Sequence, residues 1–428
     1  MEDVMRARSS AFALTLAAVV ATSVFVVTLA ARQGTAPSGV TVHEWGTFTS
    51  VAGIDGQAVL WAPFSGPQDL PCFVGELAPN NSYLKDIKFV SFPPNNEPAL
   101  PPPSASTVTL NGWLPSLRAT VRMETPVLYF YSPVDASASV RVKFTQGLIT
   151  EWYPRATVPP VPQFPKLSET TGWIEWPDVK IRPHAEEPFL TDSVKSHYYA
   201  ARETDAAPVQ VSGQFEKFLF YRGLASFPVK IAAELGPNGA VLVRNSSTSQ
   251  IPNAIVFEND GRRMGFRVTG PLGAKQTLAR PALATGANSA QLRTALETML
   301  VGQGLYPREA KAMVETWRDS WFEPGVRLFY VVPRDTVDAV LPLSISPAPA
   351  ALSRVFVGRV ELITPEMEVE VSQAIRANDV PVLMRYGRFL EPIANRVLPK
   401  MTLRDQQEAM TTLKGVAMKF IAAATVCK

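Results

Sequence analysis

The chain has 428 residues, 46% hydrophobic and 18% charged, with a formal charge of +3. That composition excludes wholesale disorder, and the length suits one large core or two ordinary ones. No long basic run is present, which excludes a nucleic-acid partner, because such a surface needs clustered Lys and Arg.

The N-terminus opens with residues 1–10, read as cytoplasmic. Ala11 to Ala31 follows without a charged residue, preceded by Arg6 and Arg8 and followed by Arg32. A helix of that length spans about 30 Å, the thickness of bilayer hydrocarbon. The basic excess before it keeps the N-terminal side in the cytoplasm. The segment reads as an uncleaved signal anchor. The alternative is a signal peptide cleaved near Thr28-Leu29-Ala30, although such apolar regions usually run to about 7–15 residues. In both readings the rest of the chain leaves the cytoplasm, and the N-terminal helix makes the membrane a partner.

Residues 32–39 read as a linker, and residues 40–285 as a β-rich domain. Val40 to Val51 is rich in Thr, Val, Trp and Phe, which suit a pleated surface. Gly53 to Gly56 supplies a turn, so Gln57 to Trp61 is expected to run back as a hairpin. By the two-residue period, His43 and Trp45 share a face with Thr47 and Thr49, and Glu44 faces the other way with Val42 and Phe48. Gly46 marks a candidate bulge. The 38 prolines, well above the usual share of about 5%, predict many turns and edge strands.

Further strands are expected at Ala119–Met123, Val127–Tyr131, Ser139–Phe144, Leu148–Tyr153 and Trp173–Trp176. Five more are expected at Lys217–Tyr221, Val229–Glu234, Ala240–Arg244, Ala254–Glu258 and Met264–Thr269. Strands at this spacing predict an antiparallel, sandwich-like first half. A helix capped by Asp192 is expected over Ser193 to Arg202.

Residues 286–428 turn to the helical period. Helices are expected after Ser289, from Pro307, from Thr364-Pro365, over Pro381–Leu398 with a kink or break at Pro392, and over Leu403–Ala424. Val326–Val332 and Arg354–Leu362 return to strand character. The fold class is therefore α+β, with an α-rich region packed on the β domain or completing it.

Chemistry-bearing residues are few. His43, His184 and His197 are the chain's three histidines and form the candidate set for a divalent metal, although no His-x-x-x-His spacing supports it. No other cofactor motif is present. His43 and Glu44 are the candidate catalytic residues. Glu44, Glu124, Glu151, Glu175 and Asp178 offer carboxylate pairs of the kind that glycoside hydrolysis needs. Arg118, Arg122, Arg141, Lys143 and Arg155 recur on the middle strands and read as a solvated face. Cys72 and Cys427 are the only cysteines, and outside the cytoplasm they can pair.

Three stretches carry a resemblance: His43-Glu44-Trp45-Gly46-Thr47-Phe48-Thr49, Met123 to Tyr131 (METPVLYFY), and Trp317 to Gly325. On these the chain resembles a family of uncharacterised exported bacterial proteins. The resemblance implies export and a bacterial source, and with the apolar segment the expectation is an inner-membrane location with a periplasmic or extracytoplasmic domain, or release into the periplasm after cleavage. It brings no assigned activity and no catalytic residues. The expectation is a cell-envelope protein that binds or scaffolds, with an envelope protein or a carbohydrate as partner. The alternative is an extracytoplasmic hydrolase, working through a histidine-bound metal or through paired carboxylates.

Overall fold

A computed structural model describes residues 39–66, 70–77, 117–161, 165–193 and 195–424. Its first strands are β1 (Thr41–Ala52), β2 (Gly75–Glu76), β3 (Val121–Tyr131), β4 (Ala136–Thr145), β5 (Gly147–Tyr153) and β6 (Thr171–Ile181). Next come β7 (Val209–Val211), β8 (Gln214–Glu216), β9 (Leu219–Ala225), β10 (Ile231–Leu235), β11 (Val241–Asn245), β12 (Ala254–Asn259), β13 (Met264–Thr269) and β14 (Lys275–Leu278). The C-terminal part holds α1 (Ser289–Val301), α2 (Pro307–Thr316), α3 (Arg318–Trp321), β15 (Gly325–Val331), α4 (Arg334–Val340), β16 (Leu343–Ser346) and β17 (Ala351–Leu362). The chain then runs through α5 (Pro365–Arg376), α6 (Val380–Arg385), α7 (Leu390–Val397) and α8 (Leu403–Ala424).

The fold is α+β. A 14-stranded mixed sheet follows the path β13-β12-β15-β17-β1-β3-β9-β5-β6-β4-β16, and β10-β11-β14 forms a second sheet. The α-rich part supplies β15 and β17 to the middle of the large sheet, so it completes the β structure as well as covering it.

β1 lies near the centre, and its neighbours are not the expected return strand. It pairs in parallel with β17 from Thr41↔Ala351 to Ala52↔Leu362, and antiparallel with β3. Gln57 to Trp61 makes only isolated bridges, Ala52↔Ala58 and Trp61↔Ala119. A strand buried on both faces along its length needs long partners, and a five-residue run followed by Pro63 is not one.

The bulge at Gly46 is present, with the extra residue on the facing strand. Trp45 pairs with Val127 and Thr47 with Glu124, which leaves Thr125 and Pro126 opposite Gly46. Pro126 has no N–H to give a ladder, and a bulge is where a sheet tolerates that. A Cβ on Gly46 would lie 2.7 Å from Phe356 Cε1, so only glycine fits beside the ring.

The two faces of the large sheet bury different layers. Val42, Phe48, Leu328 and Val360 pack with Ile231, Ala233, Val241 and Val243 of the small sheet. On the other face, Trp45, Tyr129 and Phe329 pack under Leu296, Met313 and Trp321 of α1–α3. Further along that face, Val51, Trp61 and Ile363 pack with Val371, Leu383, Ile393 and Val416 of α5–α8. Each such fully buried side chain contributes about 1.5–3 kcal/mol.

Local signals set most helix ends. Asn288 caps α1 by accepting from Gln291 N, one residue before the expected Ser289, and Thr364 caps α5 through Met367 N. The run expected over Pro381–Leu398 divides at Gly387 (φ 50°) rather than at Pro392. Pro392 sits in the first turn of α7, where a missing N–H leaves no bond unmade. The segment expected as a helix from Ser193 is a 3-10 turn over His197–Arg202, capped by Ser196. Asp192 instead accepts from Cys72 N at 2.6 Å and from the Tyr199 hydroxyl at 3.0 Å.

Among the described residues no helix is long and apolar enough to cross a membrane. The expected anchor, Ala11 to Ala31, lies outside the described residues, as does Cys427. Cys72 is disulfide-bonded.

Candidate functional site

His43 and Glu44 point to opposite faces of β1, as the two-residue period requires. His43 Nδ1 donates to Glu309 Oε2 at 2.8 Å. Glu309 is fully buried near the start of α2, where it also accepts from Tyr306 N at 2.7 Å and from the Tyr131 hydroxyl at 2.8 Å. The His43 ring lies 4.4 Å from the Tyr306 ring. On the other face Glu44 accepts from Arg354 and from the Tyr221 hydroxyl, and Arg354 reaches on to Asp338 of α4 at 2.7 Å. Both residues thus tie β1 to a covering helix.

The other histidines have different partners. His184 Nε2 donates to the Pro133 carbonyl at 3.1 Å, and His197 Nε2 pairs with Asp319. Among the described residues no group of three or more His, Cys, Asp or Glu side chains could hold a metal ion.

Charge concentrates elsewhere, in a seam between the two helical groups. Arg327 on β15 and Glu361 on β17 are register partners, with Nε 2.8 Å from Oε2. Arg359, two residues before Glu361 and so on the same face, has Nη2 at 3.0 Å from Glu361 and 2.9 Å from Glu323. Its Nη1 donates to Ser320 Oγ at 2.6 Å. Arg388, between α6 and α7, donates to the same oxygen at 3.2 Å and to Glu124. Glu124 accepts from Thr49 Oγ1 at 2.6 Å. Arg122 lies 3.4 Å from both Glu124 and Glu151, and Arg222 donates to Thr125 Oγ1 at 3.1 Å.

Arg122, Glu124, Glu151, Arg222, Arg327, Arg359 and Glu361 are all buried. Taking each ion out of water costs several kcal/mol, so a chain of them is a poor source of stability and a strong source of positional order. Burial alone would raise the Glu124 carboxyl. Arg388, Arg122, Arg359 and the Thr49 hydroxyl together outweigh burial and hold it below its ordinary value. For Arg359, Glu361 and Glu323 outweigh burial and raise the guanidinium.

The seam ends at a half-open groove of about 530 Å³, with Glu323 and Glu361 in its lining. Around them stand Glu258 and Arg280 (2.9 Å apart), Glu370 and Arg385 (2.6 Å), and Tyr386, which also donates to Glu370. Phe389 lines the groove, stacks on Trp61 at 5.5 Å, and carries the Arg359 guanidinium 5.0 Å from its ring centre. Burial first, and then the Glu370 carboxylate, push the Tyr386 phenol up, which keeps it a donor at neutral pH. The arrangement offers planar charged groups held by one another, both donors and acceptors, beside the partly exposed Tyr386 ring.

No protein-family model matches the chain, and the comparison with curated proteins finds no match. The expected resemblance rests on three stretches, His43–Thr49, Met123–Tyr131 and Trp317–Gly325. Those stretches meet at the seam: the first holds Thr49, the second Glu124 and Thr125, and the third Ser320 and Glu323.

Of the carboxylates expected to pair, Glu124 and Glu151 come together on Arg122. Glu175 pairs with Arg141 at 3.4 Å and Asp178 with Lys180 at 2.8 Å, both partly exposed. The basic face expected on the middle strands is not one surface. Arg122 is buried in the seam, and Arg118 pairs with Glu391 at its edge. Arg222, Arg327, Arg359 and Arg388 escaped sequence reasoning, since one Arg alternating with apolar residues reads as a solvent-facing position. The available signal was that Arg327 and Arg359 sit in strands apolar enough to be central.

Proposed function

We propose that this is an exported, membrane-anchored cell-envelope protein that binds a polyhydroxylated ligand, a carbohydrate in class, in the groove at the end of the seam. The observation that carries this reading is the groove itself. Arg280–Glu258 and Arg385–Glu370 hold one another's charges in place beside the Tyr386 ring. Sugar hydroxyls suit such fixed donor and acceptor pairs, and the apolar face of a pyranose suits an aromatic ring. The volume falls within the range of about 300–1,000 Å³ typical of small-molecule sites.

Export is supported by the uncharged run from Ala11 to Ala31 behind Arg6 and Arg8. It is supported further by the disulfide at Cys72, because disulfides persist in oxidising compartments.

One observation favours the hydrolase alternative in its carboxylate form. Glu323 and Glu361 meet on one nitrogen of Arg359, and glycosidases hold their carboxylate pairs about 5–9.5 Å apart. Against it, both carboxylates are already ion-paired, each with Arg327 and Arg359. The test is incubation of the purified protein with bacterial envelope polysaccharides, measuring retention and release of reducing ends together. Retention without release supports binding. Release that disappears in Glu323→Gln would replace it with the hydrolase.

A further inference from the structure

A second cavity, of about 460 Å³, opens on the opposite face of the large sheet, between it and β10 and against α4. It is separate from the groove and does not depend on the carbohydrate reading. Phe48, Tyr330 and Val332 form part of its lining, and each is more than nine-tenths buried. Phe227 stands edge-on to Phe48, 6.1 Å between ring centres at 81°. Tyr330 lies in the gap left by Gly358, where a Cβ would fall 2.1 Å from Tyr330 Cζ. The sheet has thus given up a side chain to seat this ring.

Polar residues such as Thr145, Ser247 and Thr336 stand at the more exposed parts of the lining, and two buried hydroxyl residues, Ser50 and Tyr330, lie among its apolar ones. Ser50 is 5% exposed and Tyr330 6%, and both side chains line the cavity. Among the described residues neither hydroxyl has a hydrogen-bond partner. Neither oxygen is sealed off from the cavity, so both hydroxyls are available to a molecule that enters it. Burial alone raises the Tyr330 phenol, so it remains protonated and able to donate. Ser50 also keeps its proton at every working pH. Two donors in an aromatic-lined cavity call for an acceptor oxygen on a flat apolar body.

We infer that this cavity is a binding site for a small, uncharged aromatic compound whose carbonyl or phenolic oxygen accepts from Tyr330 and Ser50. An anionic head is disfavoured there, because the only cationic side chain in the lining, Lys230, is exposed.

The test is titration calorimetry of the full chain with acetophenone, phenol, benzene and benzoate, repeated on Tyr330→Phe and Ser50→Ala. Both substitutions keep the shape of the lining, and their melting temperatures report whether the fold is intact. The expected result is saturable binding of acetophenone and phenol, at least tenfold tighter than benzene or benzoate. Tyr330→Phe is expected to lose about tenfold and Ser50→Ala less. Absence of saturable binding overturns the site. So does benzene binding as tightly as acetophenone, or unchanged affinity in folded Tyr330→Phe.

Discussion

Arg359 Nη2 lies between two carboxylates, 2.9 Å from Glu323 and 3.0 Å from Glu361. The Glu361 side chain is 1% exposed and that of Glu323 33%, so one guanidinium joins the dry seam to the wet groove. Through Ser320 and Arg388 the same chain of contacts reaches Glu124 and Thr49 on β3 and β1. That route connects the sheet to the groove lining.

Removing this link should be costly. Arg359→Met removes the charged hydrogen bonds to Glu361, Glu323 and Ser320 while Glu361 keeps Arg327, a loss of about 1.5–3 kcal/mol. Urea denaturation of the variant should show a loss of that size. A loss below about 1 kcal/mol, the level of an exposed pair, would mean that the seam is not dry.

His43→Ala should lower stability without abolishing ligand binding. It removes one of three hydrogen bonds to buried Glu309 and the ring packed on Tyr306, a loss of about 1–3 kcal/mol. Metal content by native mass spectrometry should be the same in both proteins. A stoichiometric metal lost only in the variant would contradict this reading of His43.

Glu124 should make stability fall in acid. Its folded carboxyl lies below the ordinary range, so its contribution is complete above the unfolded value of about 4.3. That contribution drains away as pH falls through the depressed folded value. Glu124→Gln should therefore be less stable than wild type at pH 7, with the gap narrowing below about pH 4. A gap independent of pH would show that the loss is one of shape rather than charge.

Cys72→Ser should destabilise the protein by about 2–4 kcal/mol, and reductant should do the same to wild type but not to the variant. Equal stability with and without reductant would remove the structural support for an oxidising compartment.

Much of the fold was legible in the sequence. Strands β3 to β6 and β9 to β13 and the helices α1, α2, α5 and α8 follow from alternation, caps and prolines, which are local signals, whereas the short β7 and β8 do not. The period of two also placed His43 and Glu44 on opposite faces. The partner of β1 was not legible, because a parallel neighbour drawn from residues 351–362 leaves no mark near Thr41–Ala52. The seam was hidden for a related reason. Arg122 alternates with apolar neighbours as a solvated residue would, yet it is buried, donating to the Pro63 carbonyl and lying over the Phe64 ring. His43 was visible as unusual, but Glu309, which holds it, looked like an ordinary first-turn acid of α2.

The most direct test of the central claim is the affinity of the groove. An envelope oligosaccharide retained by the full-length protein should be titrated into wild type, Tyr386→Ala and Glu370→Gln. Saturable binding that weakens at least tenfold in both folded variants is the predicted result. Unchanged affinity in both variants would contradict the claim, as would failure of every such oligosaccharide to bind wild type.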